Sequence, residues 1–214
     1  FVIFSVTLCF KIADMKIVIT ADVINSRRVK SDKWLDLLKR ELGKFGEEYS
    51  DWEVYRGDSF QLLLEAADAL RAVFHIKTVI KQISPLNVRM ALGLGGVNYR
   101  SDKVLESNGS AFIHSGECFD NLKKQNLMIK SDNEELDTRL NLMFGLAGLA
   151  MDYWKPVTAE IIHQKLEHPN LTQRELTELM GKKSQSTISE GLKRGGYDEI
   201  ESLIYYFEAQ MKRL

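Results

Sequence analysis

Two carboxylates, Asp22 and Asp58, have the surroundings that best suit chemistry. Asp22 closes the β-branched run Ile17-Val-Ile-Thr20, and Asp58 sits in a Gly57-Asp58 turn between two apolar segments. They are 36 positions apart, yet a strand and the hairpin beside it would bring both acids to one end of a sheet. Carboxylates so placed bind Mg²⁺ shared with a nucleoside triphosphate, so both are candidate metal ligands and Mg²⁺ the candidate cofactor. Just downstream, Asn25-Ser-Arg-Arg28 lies beyond the carboxyl end of a strand and at the start of a helix, where free N–H groups and the helix dipole favour phosphate. Arg56 could add charge-assisted hydrogen bonds. Asn25, Ser26, Arg27, Arg28 and Arg56 therefore make a candidate site for an anionic, nucleotide-like ligand. The bland alternative is an ion-pair network of Asp22 and Asp58 with Arg27 and Arg56, since Asp in a Gly-Asp turn needs no further reason.

A second polar constellation lies near the C-terminus. Thr172 and Glu175 have the spacing of a capping box that opens a helix. Leu176, Leu179 and Met180 share one face of that helix, and Gly181 stops it. Ser184 can cap a following helix with Ile188 and Leu192 inside and Gln185, Ser186, Ser189, Glu190, Lys193 and Arg194 outside. Short polar side chains early in such a helix, with cations at its far end, suit base edges in a major groove flanked by phosphates. The segment 172–194 resembles the helix-turn-helix of bacterial transcription regulators, whose recognition helices often carry Gln-Ser-Thr-Ile-Ser early. That resemblance makes Lys182, Lys183, Ser184, Gln185, Ser186, Thr187, Ser189, Glu190, Lys193 and Arg194 candidate contacts to double-stranded DNA, with homodimers binding paired half-sites. An ordinary helical hairpin is the structural alternative.

Formal net charge is −1 over 214 residues, so the whole chain does not advertise nucleic-acid binding and charge must be sought locally. Between Gly181 and Gly195 four cations face the single anion Glu190, a small but correctly placed basic footprint. The two cysteines, Cys9 and Cys118, have no pattern and suit a reduced cytoplasmic protein. The apolar run at 1–10 is shorter than the roughly 20 residues of a membrane span. Met15-Lys16 opens directly onto a strand-like run, so residues 1–14 read as a misassigned extension. His75, His114, His163 and His168 are scattered without ligand spacing, which argues against a metal or catalytic role for each.

The elements that must position these groups can be drawn from periodicity. A strand over 17–20 precedes a helix with Trp34, Leu35, Leu38 and Leu42 on its inner stripe. Strands at 52–56 and 60–64 flank the Gly57-Asp58 turn. An amphipathic helix follows over 66–83, closed by Pro85, then a strand over 88–95 whose Gly93, Gly95 and Gly96 imply close backbone approach. A helix within 109–124 and a strand at 127–129 complete a β-α-β-β-α-β order with additions, the ferredoxin-like or palm arrangement. From 134 onward only helical stripes occur. The expected class is therefore α+β, with a palm or ferredoxin-like domain over 15–132 and an all-α domain over 133–214.

Residues 16–125 resemble class III nucleotidyl cyclases and the diguanylate cyclase palm. Ala21-Asp-Val-Ile24 and Gly57-Asp-Ser-Phe60 stand where those enzymes carry metal-binding Asp motifs, and Gly109-Ser-Ala-Phe112 where they begin a helix. The positions that would hold the cyclase Asn and Arg fall on Ile113 and Glu117, which cannot stabilise a transferring phosphoryl group. Asp22-Val-Ile-Asn-Ser-Arg27, Gly57-Asp-Ser-Phe-Gln61, Gly93-Leu-Gly95 and Gly109-Ser-Ala-Phe112, joined to a C-terminal helix-turn-helix, resemble the SatD family of bacterial proteins. That resemblance implies a regulator, in some members linked to stress or acid tolerance, with no established reaction. The expectation is a non-catalytic DNA-binding regulator with a cyclase-like sensing or dimerising domain. The alternatives are a Mg²⁺-dependent phosphoryl-transfer enzyme using Asp22 and Asp58, and a protein-binding adaptor.

Overall fold

A computed structural model describes residues 15–181 and 184–214. The expected extension at 1–14 and the candidate DNA contacts Lys182 and Lys183 lie outside the described residues. The protein is α+β, a five-stranded mixed sheet with eight helices among the described residues. The strands are β1 (Lys16–Ile24), β2 (Trp52–Tyr55), β3 (Ser59–Glu65), β4 (Asn87–Gly95) and β5 (Leu127–Lys130), in the order β2-β3-β1-β4-β5. β1 runs antiparallel to both β3 and β4, β2 antiparallel to β3, and β5 parallel to β4. The helices are α1 (Leu35–Leu42), α2 (Ala69–Lys81), α3 (Ser110–Asp120), α4 (Glu134–Met151), α5 (Pro156–Glu167), α6 (Gln173–Met180), α7 (Gln185–Gly195) and α8 (Tyr197–Met211).

β1 is central because its β-branched side chains can be buried on both faces. Ile17, Ile19, Ala21 and Val23 point into the core shared with α1, α2 and the C-terminal helices, while Val18 points to a smaller cluster with Leu63, Val104 and Ala111. On that second face Thr20 pairs its hydroxyl with Ser115 of α3 at 2.9 Å. The close approach expected at Gly93 and Gly95 is present. A Cβ on Gly93 would overlap the Ala111 carbonyl and the Ser115 amide, and one on Gly95 would overlap Ser110 and the Ala111 amide. α3 thus lies directly on β4.

β1 extends past the expected strand end, because β4 pairs with it through Asp22↔Arg89, Val23↔Val88 and Ile24↔Asn87. Asp22 is therefore a strand residue. α2 also departs from the amphipathic expectation, for every residue from Ala72 to Ile80 is buried. Its outer face is covered by α5 and α8, and a helix enclosed all round need not show a polar stripe. Lys77 lies in that enclosed stretch with no exposure. Burial pushes its pKa down to about 8 against the pull of Asp152, whose carboxylate it meets at 2.5 Å.

At the sheet's far edge the Asn141 side chain stands in for a neighbouring strand. It accepts from the Ile129 amide at 2.8 Å and donates to the Ile129 carbonyl at 2.9 Å, which satisfies groups an open edge would offer to another chain. The apolar core runs without interruption from the sheet through Leu136, Leu140 and Phe144 of α4 to Ile161, Ile188, Ile204 and Phe207. No described helix is long and apolar enough to cross a membrane.

Candidate nucleic-acid interface and ligand pocket

α6 begins as its sequence indicates. The Thr172 hydroxyl accepts from the Glu175 amide at 3.3 Å, and the Glu175 carboxylate accepts from the Thr172 amide at 2.8 Å, a reciprocal capping box. Those bonds from Thr172 hold the Glu175 carboxyl below its ordinary pKa. Gly181 ends α6 at φ 59°, a left-handed conformation that favours glycine. Ser184 opens α7 by accepting from the Thr187 amide at 3.2 Å.

α7 shows two distinct faces. Ile188 and Leu192 are buried, together with Gly191 and Gly195. A Cβ on Gly191 or Gly195 would overlap Ile161 or Ile162 of α5, and the Trp154 indole donates to the Gly195 carbonyl at 3.0 Å. α7 is thereby seated tightly on α5. Gln185, Ser186, Thr187, Ser189, Glu190, Lys193 and Arg194 are all exposed. Arg194 reaches back to Glu190 at 2.8 Å, an exposed pair worth little in water that a competing phosphate could exchange. Lys155, which the sequence did not single out, lines a groove with Ser186, Thr187, Glu190 and Arg194.

A cavity of about 560 Å³ is lined by Asp22, Asn25, Ser26, Arg27, Arg28 and Asp58. Six of the seven candidate ligand and metal residues thus come together. Arg56 is not among them; it is exposed in the β2–β3 turn at φ 53°. The cavity also gains Arg89, Lys123, Gln125 and Asn126, none of which had been expected. Arg89 forks onto Asp22, Nε to Oδ1 at 2.6 Å and Nη2 to Oδ2 at 2.8 Å. Its hydrogen bonds to Asp22 raise the guanidinium pKa further, and the group also lies 4.9 Å above the Phe119 ring. Asp58 accepts from the Ser26 hydroxyl at 2.6 Å, and its carbonyl accepts from the Val23 amide at 2.9 Å. The Asp22 partner is thus Arg89 rather than Arg27 or Arg56.

No α-helix begins directly behind the candidate anion site. Ser26–Arg28 is a single 3-10 turn, and α1 starts only at Leu35. The turn is too short to sum a helix dipole, so attraction for an anion would come from the Arg27, Arg28 and Lys123 side chains. Ile113, at the position that would hold a cyclase Asn, is 60% exposed, and Glu117 pairs with Lys130 at 2.6 Å. Cys118 is buried, and burial pushes its thiol up to about 12, which leaves it protonated and unreactive.

The family model described as the SatD family matches residues 16–202, a span that takes in the cavity, α6 and α7. The chain belongs to the SatD family. Comparison with curated proteins and with solved structures gave no match. The matched span takes in the sheet and the two capped helices and ends within α8.

Proposed function

We propose that this SatD-family protein is a DNA-binding regulator, with α7 as the recognition helix and the sheet carrying a palm-type unit whose cavity takes an anionic, nucleotide-like ligand. The observation that carries this reading is the sided character of α7. Its polar residues face solvent together, while two glycines and two aliphatic residues fix its back to α5. Gln185 and Ser189 would meet base edges, and Lys193 and Arg194 would hold phosphates. Support for a palm comes from the order β2-β3-β1-β4 with β1 antiparallel to both neighbours. Exposed Ile113 and Lys130-paired Glu117 support a unit without phosphoryl transfer.

Homodimerisation fits α4. Leu142, Leu146 and Leu149 are 66%, 61% and 70% exposed and share one helical face by their spacing. A second copy would cover them, and a dimer would present two α7 helices to paired half-sites. Selection from a random duplex pool should therefore return paired half-sites with the wild type and single half-sites with a monomeric Leu142→Glu variant. Ser189→Ala and Gln185→Ala should relax preference at one or two positions by about 1–3 kcal/mol each. Recovery of no enriched sequence would remove base readout from the account and favour the protein-binding adaptor.

For the cavity, the Arg89 fork on both Asp22 oxygens favours an anion held by Arg27, Arg28 and Lys123 over a bare Mg²⁺ between Asp22 and Asp58. Pyrophosphate should raise the melting temperature, and Arg27→Ala with Arg28→Ala should abolish that rise. An unchanged rise in the double variant would place the anion elsewhere. Hydrolysis of any nucleoside triphosphate with Mg²⁺, lost in Asp58→Asn, would establish the enzyme reading instead.

A further inference from the structure

His75 and His163, which have no ligand spacing in the sequence, have ring centroids 5.8 Å from each other. They meet where α1, α2 and α5 converge, together with Glu41 and Glu167. This is the one set of three or more His, Cys, Asp or Glu side chains among the described residues able to hold a metal ion, with one ligand atom from each, all within 4.8 Å of one another. We infer that Glu41, His75, His163 and Glu167 form a divalent first-row metal site that accepts Zn²⁺ and clamps α5 onto α1 and α2.

Four features of the geometry support this. First, Glu41 is a carboxylate only 3% exposed, which requires a compensating positive charge. Second, the His75 Nδ1 faces two carboxylate oxygens at once, Glu41 Oε1 and Glu167 Oε1, each at 2.9 Å. A single N–H cannot serve both well, whereas a cation bound to that nitrogen would serve both.

Third, the tautomer of His163 follows from its neighbour. The Thr78 hydroxyl donates its hydrogen to the His75 carbonyl at 2.8 Å and lies 3.1 Å from His163 Nδ1. Nδ1 must then be the N–H that donates to Thr78, which leaves the lone pair on Nε2. This imidazole is 12% exposed. Its Nε2 lies 3.9 Å from Glu41 Oε2. Two electron-rich atoms facing each other at that separation leave room for an ion between them. Ligand atoms of a tetrahedral Zn²⁺ with bonds of about 2.0–2.2 Å stand about 3.4 Å apart, between the 2.9 and 3.9 Å seen here. Thr78 then serves as the outer partner that orients a metal-bound histidine.

Fourth, the donor set of two imidazoles and two carboxylates suits zinc among first-row metals. His163 and Glu167 are four residues apart on one face of α5, while Glu41 and His75 come from α1 and α2. The Lys44 ammonium supplies the cation in this structure, at 3.0 Å from Glu41 and 2.7 Å from Glu167. Its side chain is 38% exposed, so it can swing to solvent when a metal enters. Lysine and metal therefore compete for the same carboxylates.

The test uses the full chain stripped with a chelator and titrated with Zn²⁺ against a chromophoric competitor, with Co²⁺ as a spectroscopic probe. One equivalent should bind, raise the melting temperature and, for Co²⁺, show the visible absorption of a low-symmetry site. His163→Gln should weaken Zn²⁺ at least about tenfold. Glu167→Gln, at a 27% exposed side chain, should do the same and provides a second variant should the first fold poorly. Lys44→Ala should tighten binding, a change that a purely structural ion-pair network would not produce. Absence of stoichiometric binding, or Zn²⁺ affinity unchanged in both His163→Gln and Glu167→Gln, would overturn the site.

Discussion

Gly93→Val should cost at least about 3 kcal/mol, the upper part of the range for overpacking a filled core, and should move the urea midpoint accordingly. The atoms a Cβ would strike belong to the backbone of α3, at Ala111 and Ser115, so no rotamer change can make room. Relief would require α3 to lift off β4. That would also break the Thr20–Ser115 hydroxyl pair and expose Ala91, Val18 and Cys118. With a domain stability of about 5–15 kcal/mol, a large part of the margin would be gone. Gly116 provides the contrast within the same helix. It has nothing within 4 Å of a built Cβ, and Gly116→Ala should stabilise by about 0.5–1 kcal/mol through helix propensity alone. Equal effects at the two positions would mean that α3 does not rest on β4 as described.

The parts of this molecule that were legible from sequence are those set by local chemistry. The capping box at Thr172 and Glu175, the Ser184 cap, the Gly181 stop and the Gly57-Asp58 turn depend on residues three or fewer positions apart, and each occurs where its residue types place it. The glycines of β4 were likewise informative, because an absent side chain marks close approach whichever element comes near. What could not be read depends on register and on packing at long range. Arg89 becomes the partner of Asp22 only through the antiparallel pairing of β1 with β4; alternation along β4 shows that Arg89 points away from Val88 and Met90, but not toward what. Lys77 lies unmarked in a helical run, and its burial follows from α5 and α8 arriving from the other side. The metal cluster shows both limits. His163 and Glu167, four apart on one helix, are a local signal. His75 and Glu41 could join them only once three helices had converged.

Lys193→Ala with Arg194→Ala should weaken binding to a duplex at least about tenfold at about 50 mM salt and lessen its salt dependence. Both side chains are exposed at the C-terminal end of α7, away from the buried face that holds the helix in place, so the variant should fold with unchanged stability. Each phosphate contact contributes about 0.9 to the slope of log affinity against log salt; losing two should flatten that slope by about 1.8. Because phosphate contacts carry no sequence information, the loss should be nearly uniform across duplexes. Ser189→Ala should do the opposite, altering sequence preference while leaving the slope intact.

The most direct measurement is the salt dependence of fluorescence anisotropy for a labelled duplex titrated with the wild type and with the Lys193, Arg194 double variant. The account predicts wild-type binding at low salt with a steep negative slope, and a shallower slope for the variant. No wild-type binding at low salt, or the same slope for both proteins, would contradict the claim that α7 meets DNA.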